Sequence, residues 1–233
     1  MNGDLPTEDF HLISSCPCWA YTSACCRTGF PLRSKPAANA GVRFFDAMNN
    51  QTLKILNDLK ISIDESMRHY EIWWELGYSQ NRIQFKDQFA SQRFNHFLHA
   101  SYEAHGITMY LAFGRVFDSD SRSSSIASLK ENLRLFGHAE LVKTIEAQLK
   151  PHANLVKKIL DIRSKTIAHS DLSHSENSVF KSNAITPDEL KELIHQIRET
   201  YYDVLRYFSL TTTQLEDGIF SESTLNMLKQ LQT

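Results

Sequence analysis

The sequence predicts an all-α protein: an antiparallel helical bundle behind a non-globular N-terminal leader. Three observations carry this. From residue 50 onward apolar residues recur at three- and four-residue steps, the period of an amphipathic helix. No segment shows the sustained alternation expected of a strand. Proline is confined, because after residue 41 only Pro151 and Pro187 remain, and each falls between two helical patterns.

The leader comprises residues 1–41. It holds Pro6, Pro17, Pro31 and Pro36 and all four cysteines, Cys16, Cys18, Cys25 and Cys26. It has no core-building periodicity. Zinc sites usually pair two well-separated Cys-x2–4-Cys motifs, and Cys16-Pro-Cys18 with Cys25-Cys26 does not have that spacing. Met48 precedes the first strong helical pattern and is itself a candidate start of translation. Residues 42–233 are assigned to the helical domain.

In the first helix Leu56, Leu59, Ile63, Met67, Tyr70 and Trp74 share one face, and Gly77 interrupts the pattern. A second helix, expected to be longer, aligns Phe94, Phe97, Leu98, Ser101, His105, Thr108, Met109, Ala112 and Val116. Residues 118–125 form a serine-rich break. Ser128-Leu-Lys-Glu131 has capping-box form and is expected to open a third helix, ended by Gly137. A fourth covers 138–149 and is closed by Pro151. A fifth runs from about His152 to Ile167.

The sixth helix is announced by Thr186-Pro-Asp-Glu189, which supplies an N-cap, a proline at the first helical position and a reciprocal glutamate. Leu190, Leu193, Ile194, Ile197, Tyr201, Val204, Leu205 and Phe208 then form its stripe. A small helix is expected near Leu225–Leu231. Gly106 and Gly114 interrupt the second helix at about 1 kcal/mol each, which points to close helix–helix approach.

Composition excludes several functions. The chain has 233 residues, 42% of them apolar and 22% charged, ordinary for a globular protein. A net charge of −2 gives no general attraction to nucleic acid, so any such contact rests on a local basic patch. No apolar run approaches the roughly 20 residues that span a bilayer. No signal peptide opens the chain, and a cytoplasmic location is expected. No phosphate loop, nucleophile elbow or paired-carboxylate motif is present.

The fifth helix carries the most informative residue. On a wheel of 100° per residue, Lys157, Lys158, Asp161, Ser164, Lys165 and Ala168 cluster on the wet side. Arg163 falls on the opposite side, among Leu155, Val156, Ile159, Leu160, Ile162 and Ile167. A guanidinium keeps its charge, so it needs an acidic partner, an exit to solvent, a subunit interface or an anionic ligand. His169 follows six residues later. In a continued α-helix the two would be about 9 Å apart along the axis and a third of a turn apart. A histidine near a helix C-terminus can exchange a proton near neutral pH.

The segment Ile162-Arg-Ser-Lys-Thr-Ile-Ala-His-Ser-Asp171 resembles the Arg-x4–6-His signature of the HEPN superfamily (higher eukaryotes and prokaryotes nucleotide-binding domains). The fuller Arg-x-Lys-x-x-Ala-His-x-Asp pattern looks most like the abortive-infection AbiU-type branch. Leu111-Ala-Phe-Gly-Arg-Val-Phe-Asp118, at the end of the long second helix, agrees with that branch. The resemblance covers about residues 48–210.

The resemblance implies a HEPN-like bundle and a metal-independent endoribonuclease working as a homodimer, a toxin or phage-defence effector. Its substrate would be RNA and an antitoxin protein a further partner. No cofactor and no metal is implied. Arg163 and His169 would be the catalytic pair, with Asp171, Lys165, Asp118 and His105 as accessory residues. Some HEPN proteins keep the fold without activity, so a non-catalytic interaction or regulatory module is the alternative. His105 has a second reading as a satisfied core histidine, Asp118 as a helix-end cap, and the lysines as a solvated face. A metal site at His169, Asp171 and His174 is disfavoured, because no Cys or Glu stands nearby at ligand spacing.

Overall fold

A computed structural model describes residues 49–77, 80–168, 183–211 and 217–232, and the side chains of 166–168 are not among the described parts. The leader lies outside these residues. Among the described residues every regular element is helical. In chain order these are α1 (Asn50–Gly77), α2 (Asn81–Gln84), α3 (Lys86–Ala90), α4 (Asn95–Val116), α5 (Ile126–Leu135), α6 (Ala139–Leu149) and α7 (Ala153–Ile162). A π-helical turn (Arg163–Ala168) continues α7, and α8 (Pro187–Tyr207) and α9 (Ile219–Gln230) follow. No helix is long and apolar enough to cross a membrane among the described residues.

The backbone of the bundle is the α1–α4 pair. It is antiparallel: Glu65 pairs with Arg115, His69 meets His105, and Trp73 stacks on Tyr102. A Cβ on Gly106 would come within 3.2 Å of the Trp73 ring, so the expected close approach is real there. Helices α5, α8 and α9 pack on α1, and α7 packs on α4. One core unites Leu59 and Ile63 of α1 with Met109 and Phe113 of α4, Leu133, Ile145, Ile159, Leu193 and Val204. A smaller cluster of Leu76, Phe85, Leu98 and Leu228 joins the far end of α1 to α9.

Several local expectations are met by the caps. Thr186 Oγ1 accepts the Glu189 backbone N–H while Glu189 accepts the Thr186 N–H, with Pro187 in the first turn. Those bonds from Thr186 hold the Glu189 carboxyl below its ordinary range. Pro151 sits in a 3-10 turn between α6 and α7.

Others are corrected. Trp73, not Trp74, is the buried tryptophan of α1. Phe97 turns outward and is 63% exposed, because apolar residues surround α4 and the pattern does not single out one face. Helix α4 has 22 residues against 28 in α1, so the second long helix is the shorter one. Two short helices, α2 and α3, were not anticipated; between them Phe85 is fully buried. Helix α5 begins three residues early, with Ser125 as its cap and Ser128 as the reciprocal partner. The tail helix begins at Ile219, well before Leu225.

Candidate functional site

Helix α7 is strongly amphipathic. Leu155, Ile159 and Ile162 are buried, whereas Lys157 and Ser164 are exposed. At Arg163 the winding changes from α to π, so each further turn takes more residues than the 3.6 of an α-helix. The α-helical offset between Arg163 and later residues therefore does not apply. Isolated π-turns often mark functional positions.

Arg163 is half-buried, and its side chain runs across Gly114 of α4. A Cβ at Gly114 would come 3.0 Å from Nε, 3.1 Å from Cδ and 3.2 Å from Cγ of Arg163. The glycine thus provides the groove in which the arginine stem lies. Arg163 Nε is buried without a hydrogen-bond partner, and no carboxylate pairs with the guanidinium among the described residues. Burying an unpaired N–H costs roughly 1–3 kcal/mol. Nearby Asp161 is engaged elsewhere, with Lys165 Nζ at 2.8 Å and Asn183 Nδ2 at 3.2 Å. What results is a charge held by its stem and without a counter-charge among the described residues, suited to gripping an anion through forked N–H donors.

The other candidates divide. His169, Asp171 and His174 lie outside the described residues. Lys165 is tied to Asp161, while Lys157 and Lys158 have no ion pair among the described residues. Asp118 Oδ1 accepts the backbone N–H of Asp120 at 3.0 Å, which closes the turn after α4. His105 is half-buried with its Nδ1 2.7 Å from His69 Nδ1. Nine residues separate His105 from Gly114, about 13 Å along α4 and half a turn around it. The structure therefore does not bring His105 to Arg163. No group of three or more His, Cys, Asp or Glu side chains could hold a metal ion among the described residues.

Sequence reasoning missed Gly114 as part of the site. The sequence alone reads this glycine as a helix–helix contact, and the available signal is its place in the Leu111–Asp118 segment. That segment and the Arg163 segment, the two stretches that carried the family resemblance, meet at this contact.

The all-α bundle, with the motif helix α7 packed on the long helix α4, is the architecture expected of a HEPN domain. The family model HEPN_AbiU2, described as AbiU2, matches residues 46–218, and the chain belongs to this family. No curated protein and no solved structure matches it.

Proposed function

We propose that this chain is an endoribonuclease, metal-independent and dimeric, acting in the cytoplasm as a toxin or abortive-infection effector. One observation carries the proposal: Arg163 is half-buried over Gly114, and no carboxylate answers its charge among the described residues. The membership in the HEPN_AbiU2 family supports it.

RNA supplies its own nucleophile. The 2′-oxygen attacks the adjacent phosphorus, the bond to the 5′-oxygen breaks, and a 2′,3′-cyclic phosphate forms. His169 takes the 2′-hydroxyl proton or delivers one to the leaving 5′-oxygen. Arg163 holds the phosphate and stabilises the charge on its non-bridging oxygens. Two motif copies in a homodimer would divide the acid and base roles, and Lys157 and Lys158 would steer the RNA backbone.

The test is cleavage of total RNA and of DNA in EDTA by wild type and by His169→Ala, with light scattering for the dimer. Wild type should cut RNA only, because DNA lacks the 2′-hydroxyl. His169→Ala should be folded and inert. An inert wild type, or a His169→Ala variant that cuts equally well, returns the protein to the class of HEPN interaction modules.

A further inference from the structure

The stretch from Asn81 to His99 comprises α2, α3 and the first turn of α4, and it differs in character from the rest of the chain. It holds three cations, Arg82, Lys86 and Arg93, against the single carboxylate Asp87, in a protein of net charge −2. All three cations are exposed. None has a carboxylate partner among the described residues, whereas Arg68, Arg115, Arg134 and Arg198 each hold one. Two of the cations lie on aromatic faces. The Arg82 guanidinium is 5.1 Å from the centroid of the Phe89 ring, and that of Arg93 is 5.0 Å from Phe94. A guanidinium stacked on a ring keeps its outer face free for a second planar group.

Beside Arg82 and Phe89 opens a cavity of about 320 Å³, also lined by Asn95, His96, His99 and Tyr102. Asn95 Oδ1 is buried without a hydrogen-bond partner among the described residues. An acceptor left in that state suits an N–H donor brought by a ligand. Exocyclic amino groups of nucleobases are such donors. Glu103 also lines the cavity, and its Oε1 lies 3.5 Å from His99 Nδ1.

We propose that Asn81–His99 is a docking platform for single-stranded RNA, with the cavity beside Arg82 receiving an unpaired base. The identity of the ligand rests on the nuclease reading above; the platform itself rests on three cations with no carboxylate partner among the described residues, the stacked rings and the Asn95 Oδ1 without a hydrogen-bond partner there. Cations interleaved with aromatic faces are how single strands are held without sequence preference. A duplex hides its base faces, so the platform selects unpaired RNA. Helix α4 links the platform to the groove of Arg163. From Asn95 to Gly114 it runs about 28 Å at a rise of 1.5 Å per residue. A strand of roughly eight nucleotides covers that span at a stacked rise of about 3.4 Å. The platform would therefore hold the RNA at one end of α4 while cleavage occurs at the other.

The experiment measures binding apart from cleavage. Fluorescence anisotropy is followed with a labelled 12-nucleotide RNA, single-stranded or in duplex, on full-length protein carrying His169→Ala so that the probe survives. Adding Arg82→Ala, Lys86→Ala and Arg93→Ala should weaken single-strand binding at least tenfold. It should also lower the slope of log affinity against log salt by about 2, the value for three lost phosphate contacts. Asn95→Ala alone should weaken binding severalfold at an unchanged salt slope. Circular dichroism establishes that each variant is folded, and Arg82→Lys with Arg93→Lys serves as a second, milder pair that should keep the salt slope and lose affinity. Unchanged affinity in the triple variant, equal affinity for the duplex, or no binding at all overturns the platform. Cleavage is scored separately with His169 intact, where the triple variant should raise KM for long RNA and spare kcat. If wild type binds through these residues yet cuts nothing, the nuclease reading fails and the platform stands.

Discussion

The side chain of Arg163 lies in a groove that exists because residue 114 is glycine: a single added carbon there would stand 3.0 Å from its Nε. This contact joins the motif helix to the central helix and fixes how the guanidinium stem leaves α7. It yields a prediction with two opposite signs. Gly114→Ala should gain up to about 1 kcal/mol of helix propensity. The atoms it would crowd belong to a flexible side chain, so the fold can yield. The same crowding displaces Arg163, and a misplacement of about 1 Å can cost on the order of 100-fold in rate. Expected, then, is an unchanged or raised melting temperature with cleavage reduced at least tenfold. Full activity at full stability would show that the groove does not position Arg163.

Much of the fold could be read from local sequence because its signals are local. Thr186 and Glu189 cap α8 within four residues of each other, and no distant contact is needed to see it. The start of α5 was misread because both Ser125 and Ser128 have a polar residue three positions on. Tertiary context decides between them: Ser125 is fully buried, and neighbouring Ser124 donates to Asp58 of α1. Phe97 was turned the wrong way because α4 carries apolar residues on all sides. For the site, the wheel could place Arg163 on an apolar face, since that follows from periodicity. It could not show that, among the described residues, no carboxylate faces it, or that Gly114 lies beneath it, because both depend on how α4 packs on α7.

Helix α9 begins at Ile219, one residue past the end of the family match, with Gly218 as its N-cap, and Glu71 of α1 holds its first turn. The Glu71 carboxylate accepts backbone N–H groups from Gly218 at 2.8 Å, Phe220 at 3.0 Å and Ser221 at 3.1 Å. Gly218, at φ +85°, has no side chain with which to cap the helix itself. A lost cap costs about 0.5–2 kcal/mol, and here the acceptor is charged. Glu71→Ala should therefore speed amide exchange at 218–221 and loosen Leu228 from its cluster. Exchange at those amides no faster than in wild type would mean that α9 is held by its apolar contacts alone.

His69 and His105 share one hydrogen bond between their Nδ1 atoms at 2.7 Å, so one donates and the other must stay unprotonated there. Burial lowers both pKa values from the ordinary 6.5, with the charge of Arg68 adding to the effect at His69 and the charge of His69 at His105. Because both folded values lie below the unfolded ones, the unfolded chain takes up protons first on acidification. The pair's contribution to stability is fully present above about pH 6.5 and is lost as pH drops below it through the folded pKa values. Arg68 also pairs with Asp64 at 2.9 Å. Melting temperatures from pH 7.5 to 5 should decline, and His105→Gln should flatten the curve. Parallel curves for variant and wild type would remove the pair from the pH response.

Arg163 itself can separate a structural role from a functional one. Its Nε is buried without a hydrogen-bond partner among the described residues, and those residues leave the cost of burying it uncompensated. Arg163→Ala relieves that cost and leaves a small gap over Gly114, two effects of opposite sign. The net change in stability should lie within about 1 kcal/mol of zero and lean toward stabilisation. A structural arginine paired with a carboxylate would behave otherwise, since breaking a buried pair costs about 3–5 kcal/mol. Cleavage should be abolished in Arg163→Ala. Arg163→Lys should recover little, because an ammonium is a point charge and cannot make the forked contact to a phosphate. Thermal unfolding and RNA cleavage of the three proteins side by side make the measurement. Strong destabilisation in Arg163→Ala would place a partner on the guanidinium. A lysine variant that cuts as well as wild type would mean that charge alone, without the fork, suffices at this position.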